Sequence, residues 1–459
     1  GVGAGMKADT MSDEPIRPGY KRTEIGEIPK DWEIKAFGEL FDFLPTSSLP
    51  RNSLSDTGDI YYIHYGDIHT KWDYHLDFGT ATVPLIASKK VTNAARLRDG
   101  DLIMVDASED EEGVGKSVEV VNLGNRVAVA GLHTLALRSK EQFLANGFKA
   151  YLQANEMVKA QIRRIATGLK VFGISKNSLT GLLLPLPGRV EQSAIAEALS
   201  DVDALLDALD RLIAKKRAIK QGTMQALLTG RVRLPGFARK PGYKRAEVGV
   251  IPNDWDVKRV RDITSSTAGG TPSTKVVTYW GGNIRWMSSG ELHLKKVYDV
   301  EGRITDAGLN NSSAKLIPPR CVLVGLAGQG RTRGTVAINM VQLCTNQSIA
   351  AILPSDCFVP EYLYFNLESR YEELRNLSTG AGGRGGLNLT ILNSLMIPFP
   401  PKREQAAIAQ VLSDMDAEID ALEKRRAKLR AIKQGMMQEL LTGRIRLVQS
   451  QQQTQEANV

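Results

Sequence analysis

The sequence predicts an α+β protein written twice: two globular domains separated by two long helices that pair as an antiparallel coiled coil, with a pseudo-two-fold internal repeat. Three observations carry this reading. PGYKRTEIGEIPKDWEI at 18–34 returns as PGYKRAEVGVIPNDWDV at 241–257, with 11 of 17 positions identical. The block at 191–234 returns at 404–447 with 30 of 44 identities. Between the shared blocks lie segments rich in short β-branched runs, glycine and turn residues, diverged in both sequence and length.

Composition bounds the rest. With 459 residues, 42% apolar and 24% charged, the chain is too long and too hydrophobic for a disordered tail or a small disulfide scaffold. A net charge of +8 favours a polyanionic partner, nucleic acid first, without requiring one. Cys321, Cys344 and Cys357 form no CxxC pair and are odd in number, which argues against a zinc cluster and a disulfide framework and for a reducing, cytoplasmic setting. No apolar run approaches the roughly 18 residues a membrane span needs. The start GVGAGMKADTM lacks the basic flank and apolar stretch of a signal peptide. Its first five residues read as a cloning remnant ahead of Met6 or Met11.

In chain order, 1–17 reads as a flexible leader and 18–188 as the first globular domain. Within that domain 59–63, 100–105 and 118–122 have strand character, and 148–165 is helical in pattern. Residues 189–235 form the first long helix: Ile195, Leu199, Val202, Leu206 and Leu209, then Ile213, recur at steps of four and three along one seam. The second domain, 236–401, repeats the plan, with strands at 321–325 and 334–339 and a helical stretch at 360–377. GDIH at 66–69 is echoed by GELH at 290–293, and LPLP at 184–187 by IPFP at 397–400. The second long helix, 402–447, keeps the seam as Ile408, Leu412, Met415, Ile419 and Leu422, with Arg426 in the place of Ile213. Each helix meets Leu-Thr-Gly at Gly230 or Gly443, where glycine can take the left-handed conformation that ends a helix. Residues 448–459 read as a disordered tail.

Charge suggests how the helices meet. The first copy has six acids and no base over 191–210, then seven bases and no acid over 211–234. The second has six acids and no base over 404–423, then eight bases against one acid. Antiparallel pairing sets each acidic half against the other's basic half. Acids near a helix start and bases near its end also suit the dipole of any isolated helix, so the seam is needed to favour the pair.

The chain offers no recognisable catalytic centre. GVGKS at 113–117 lacks the first glycine of a phosphate loop, since position 110 is Asp110. GAGGRGG at 380–386 does not spell GxGxxG after a strand and reads as a flexible connector. His64, His69 and His75 lack the spacing and companions of a metal site, so groove contacts suit them better and no metal is expected. A nucleophile elbow, HExxH, a kinase set and an [ND]PP[YF] methyltransferase motif are all missing.

The duplicated PGYKR and IGxIPxDW framework, GGTPS at 269–273, and the AIKQGxMQxLLTGR helix ends at 218–231 and 431–444 resemble the specificity subunit of type I restriction-modification systems. The resemblance covers about 18–447. It implies two target recognition domains joined by an antiparallel coiled coil, and a non-catalytic subunit that reads double-stranded DNA for two methyltransferase subunits, with restriction subunits as further candidate partners. It also implies that S-adenosylmethionine, and any ATP and magnesium, sit on those partners, and that the modified base is adenine. A bipartite, asymmetric site follows from two unlike readers on one spacer.

For the first reader the candidate DNA contacts lie on the loop 61–72, with His64, Tyr65, His69 and Lys71, plus Lys116 on the glycine turn. For the second they are Arg285, Trp286, Ser288, Ser289 and His293, with Gln329, Arg331 and Arg333 on 328–334. Arg and Gln suit paired hydrogen bonds to guanine and adenine edges. Trp286 and Tyr61 are equally readable as core, and surface arginines as merely solvated. Off the seam, Leu205 and Ile219 are open either to docking a partner or to packing on the readers. The rival is a scaffold that holds two non-DNA binding modules on the same spacer; a fused restriction-modification enzyme fits less well.

Overall fold

The computed structural model describes residues 15–140, 143–168, 170–238, 240–328, 332–377 and 386–448. The chain separates into two compact units: 1–209 together with 425–459, and 210–424. The division passes through both long helices, α1 (Arg189–Leu228) and α2 (Lys402–Leu440), so each unit holds the beginning of one and the end of the other.

The first unit opens with an antiparallel hairpin, Tyr20–Thr23 against Gly26–Pro29. Its strands are β1 (Phe41–Leu44), β2 (Ile60–Ile63), β3 (His75–Asp77), β4 (Leu85–Ile86), β5 (Leu102–Val105), β6 (Ser117–Val121), β7 (Ala128–Ala130) and β8 (Thr134–Ser139). They form a five-stranded sheet in the order β1-β8-β5-β6-β3 and a three-stranded sheet in the order β7-β2-β4. Central β5 is buried at every residue because both of its faces are covered. Leu102 and Met104 join the core that also holds Ile195, Ala196 and Leu199 of α1 and Leu440 at the end of α2. Ile103 and Val105, pointing the other way, join Val118, Val120 and Ala136 in a second core.

The second unit repeats this plan. Its strands are β9 (Ser266–Ala268), β10 (Trp280–Met287), β11 (Lys296–Val297), β12 (Arg303–Ile304), β13 (Val322–Gly325), β14 (Val336–Asn339), β15 (Cys344–Thr345) and β16 (Ile349–Ile352). The sheets run β9-β16-β13-β14-β11 and β12-β10-β15, so each strand corresponds to the one eight earlier. Even the parallel pairs agree: β7 with β2 and β15 with β10, β6 with β3 and β14 with β11. Val322 and Val324 face a core shared with Met224, Leu227 and Leu228 of α1 and Ile408, Ala409 and Leu412 of α2. Leu323 and Cys321 face the opposite core. Burial pushes the thiols of Cys321 and Cys344 up to about 12 and about 11, so both act as small apolar side chains.

The repeated blocks meet crosswise, within each unit. In the first, the indole of buried Trp32 donates to Glu191 at 3.0 Å. Arg446, from the end of the second block, forks onto Glu191 (2.5 and 2.8 Å) and Asp31 (2.9 and 2.6 Å). In the second, Trp255 donates to Glu404 at 3.0 Å, and Arg233 spans Glu404 (2.6 and 2.8 Å) and Asp254 (2.8 and 3.1 Å). The glycine of each Leu-Thr-Gly has φ +69°, and a Cβ there would lie 2.4 Å from Pro29 at Gly443 and 2.5 Å from Pro252 at Gly230. Only glycine fits both demands. PxDW, the Glu that starts each helix and the GRxR that ends it are therefore halves of one joint, built twice.

Within each unit the helix halves are charge-paired. In the second unit Lys216 meets Glu418 at 2.6 Å and Lys220 meets Asp416 at 2.5 Å, while Arg217 reaches Glu423. Numbers rise on α1 as they fall on α2 from the first pair to the second, so these halves run antiparallel. In the first unit Lys433 pairs with Asp203 and lies 3.8 Å over the Tyr74 ring. Ile195, Leu199, Leu206, Leu209, Ile213, Ile408, Leu412 and Ile419 are buried, whereas Val202, Met415 and Leu422 are partly so. Two stretches that read as single helices are each broken. Asn155 caps Glu156–Ile165 and donates to the Leu441 carbonyl, leaving Lys149–Ala154 as a separate 3₁₀ segment. The second stretch divides into Pro360–Glu368 and Tyr371–Leu377.

Candidate nucleic-acid interface

Strand register aligns the candidate loops of the two units. Tyr62 sits opposite Val129 in β7 as Trp286 sits opposite Cys344 in β15, which makes His64, Tyr65 and His69 the counterparts of Ser288, Ser289 and His293. The β5–β6 and β13–β14 connections also match, and their glycines, Gly115 and Gly334, have φ +80° and +78°. Lys116 and Arg333 thus occupy equivalent loops. Gln329 and Arg331 lie outside the described residues, as does all of the 380–386 glycine run except Gly386. Ser117 opens a strand rather than a helix, so GVGKS lacks the helix N-terminus a phosphate loop uses.

In the first unit the turn after β2 and the β5–β6 loop come together. Lys116 donates to the His69 carbonyl at 3.2 Å and lies 3.6 Å from Asp73. His64 is buried and caps Tyr65–Thr70, its Nδ1 accepting the Gly66 amide; burial holds its pKa below the usual histidine value. Tyr65 is edge-on to His69 and to His133. Asp67 is buried beneath Arg51 (3.0 Å) and Lys71 (2.8 Å). Burial alone would raise its carboxyl, but the two cations outweigh it and keep it ionised below the usual range. Lys71 is therefore tethered, while its exposed ammonium keeps donors for an anion.

The second unit is built differently on the same frame. Arg285 donates to Asp299 at 2.8 Å, and Ser288 bonds Glu291 at 2.9 Å as part of a helix-start capping box. Trp286 is half-buried and donates to the Gly270 carbonyl at 2.9 Å. Ser289 faces Asn346, whose Nδ2 lies 3.4 Å away. His293 is exposed but lines a cleft of about 880 Å³ with Lys220, Lys295, Glu368 and Asp416, apart from the Ser289 contact. The GGTPS glycines are fixed by close approach: a Cβ on Gly269 would meet the Thr345 carbonyl at 2.1 Å, and one on Gly270 would meet Ser313 at 2.3 Å.

Sequence reasoning missed a third loop, residues 131–133 in the first unit and 346–348 in the second. It joins the parallel strand of the small sheet to the large one, β7 to β8 and β15 to β16, and lies beside the other two. It carries exposed His133, at φ +53° and 3.4 Å from Asp106, and exposed Gln347. In the sequence this loop hides inside apolar runs such as VAVAGLHTLAL. Only the change of sheet exposes it. Among the described residues no cluster of His, Cys, Asp and Glu could hold a metal ion, and no helix is long and apolar enough to cross a membrane.

The chain is similar to proteins already classified. Residues 252–431 match the family described as the type I restriction modification DNA specificity domain. The putative type I restriction enzyme MjaX specificity subunit of Methanocaldococcus jannaschii is 26% identical over 433 residues, spanning 93% of this chain and 97% of the relative. The MjaIX specificity subunit of the same organism is 35% identical over 201 residues, 43% of this chain and 46% of the relative. Among solved structures, the S subunit of a type I restriction-modification system from M. genitalium shares the fold at a TM-score of 0.55 and 14% identity, covering 89% of this chain and 96% of that one. With the doubled framework and the paired candidate loops already placed, the chain is similar to type I restriction-modification specificity subunits along most of its length and shares the fold of a solved S subunit.

Proposed function

We propose that this chain reads double-stranded DNA for a type I restriction-modification complex, each unit contacting one of two unlike half-sites. The observation that carries the reading is the pair of equivalent loop sets that keep one frame and change most of its side chains: His64, Tyr65 and Lys116 against Ser288, Ser289 and Arg333, with histidine kept at His69 and His293. A shared frame with unlike chemistry suits two readers of different sequence. Lysine and arginine contacts to phosphate set affinity and its salt dependence, and side chains reaching base edges set the sequence.

The spacer is the helix pair. At 1.5 Å per residue the 40 residues of α1 extend about 60 Å. Crosswise joints and opposed charge halves support an antiparallel coiled coil that holds the two target recognition domains at a fixed separation. Ile219 and Ile432 are equivalent in the repeat and both exposed, as is Leu205. They supply apolar contacts for two methyltransferase subunits, with restriction subunits joining where cleavage occurs. The chain itself is non-catalytic in this reading. S-adenosylmethionine, and ATP with magnesium, belong to the partner subunits, and adenine is the base modified.

The test is DNA binding by the full chain with its methyltransferase partner at two salt concentrations. Sequence-selective binding that weakens steeply with salt is expected. Absent or salt-insensitive binding would favour a scaffold for other modules.

A further inference from the structure

The third loop carries a side chain arranged for base reading. Gln347 is exposed on the short connection between β15 and β16, and its Oε1 accepts the Thr271 hydroxyl at 2.5 Å. Thr271 follows the two glycines that press against Thr345 and Ser313, and the Gly270 amide donates to the Thr345 carbonyl at 2.8 Å. The backbone beneath Gln347 is held as well. Asn346 donates its amide to Met287 at 3.0 Å, and its side-chain oxygen accepts the Ser348 amide at 3.1 Å.

A primary amide has two acceptor lone pairs on oxygen and two donors on nitrogen. With one lone pair taken by Thr271, the other and the amide hydrogens stay available on an exposed edge. An acceptor beside a donor on one planar group is what the N6 and N7 edge of adenine requires. The equivalent loop of the first unit offers Leu132 and His133 instead, so the position is framed alike and furnished differently in the two copies.

We infer that Gln347 reads an adenine in the half-site of the second unit, with Thr271 as its positioning residue. This rests on the DNA-reading function proposed above. It gives the 346–348 loop a specificity role beside the turn after β10.

The experiment uses the full chain assembled with its methyltransferase partner, and maps the modified sites on a random-sequence library. Gln347→Ala is expected to make one A·T position degenerate, in one half-site only, with discrimination there falling roughly ten- to a hundredfold. Thr271→Val should relax the same position by a smaller factor, and Thr271→Ser should restore it. Unchanged discrimination in Gln347→Ala, or relaxation spread equally over both half-sites, would overturn the inference. Should Gln347→Ala modify nothing, the Thr271 pair decides by the same criterion. A wild-type complex without sequence preference would instead refute the DNA-reading function itself.

Discussion

Replacing Arg233 by alanine tests the crosswise joint. The guanidinium makes four hydrogen bonds to Glu404 and Asp254 and a fifth to the Phe237 carbonyl at 2.8 Å, and it sits 5.5 Å from the Trp255 ring. The Glu404 and Asp254 side chains are only 1% and 8% exposed. Truncation leaves two buried carboxylates facing each other without their cation, so the expected cost is about 3–5 kcal/mol. Arg233→Lys keeps the charge but loses the fork and should fall between. Urea unfolding monitored by hydrogen exchange separates the two units. Loss of protection should concentrate in 210–424. A cost under about 1 kcal/mol, the value of an exposed pair, or an equal loss in both units would refute the reasoning.

Further outcomes follow from the same structure. Arg446→Ala should destabilise the first unit by less, because its partner Asp31 is 48% exposed, as paired hydrogen-exchange measurements would show. Burial raises the Glu368 carboxyl, but Lys295 and Lys220 outweigh it and hold it below its ordinary value near 4.5. Its contribution is therefore complete above that pH and lost as pH falls through the lower folded value, so Glu368→Gln should flatten the acid limb of the second unit's stability curve. Burial keeps His64 and His75 below 6.5, so the first unit should weaken as pH drops below about 6.5 and the unfolded chain takes up protons. Ile219→Glu and Ile432→Glu should each remove one methyltransferase copy from the purified complex, read as a step in mass by light scattering.

The duplication and the helix seam are legible in the sequence because each is a periodic signal along the chain, and the buried strands because they are short runs enriched in β-branched residues. Partner choice in the joint is not, because Arg446 and Glu191 stand 255 positions apart and Arg233 and Glu404 171, with no local pattern to join them. Less of the reader surface can be read that way. Arg285 and Ser288 look like free DNA contacts in the sequence, yet Asp299 and Glu291 engage them. Thr271 and Gln347 stand 76 positions apart, and no local pattern joins them. Strand register creates that contact.

The most direct measurement is a methylation map of DNA from a host expressing this chain with its methyltransferase partner. Two short, unlike adenine-containing half-sites separated by a constant unread gap are expected. A contiguous or palindromic motif, or modification by the isolated chain, would contradict the reading of two different sensors on one rigid spacer.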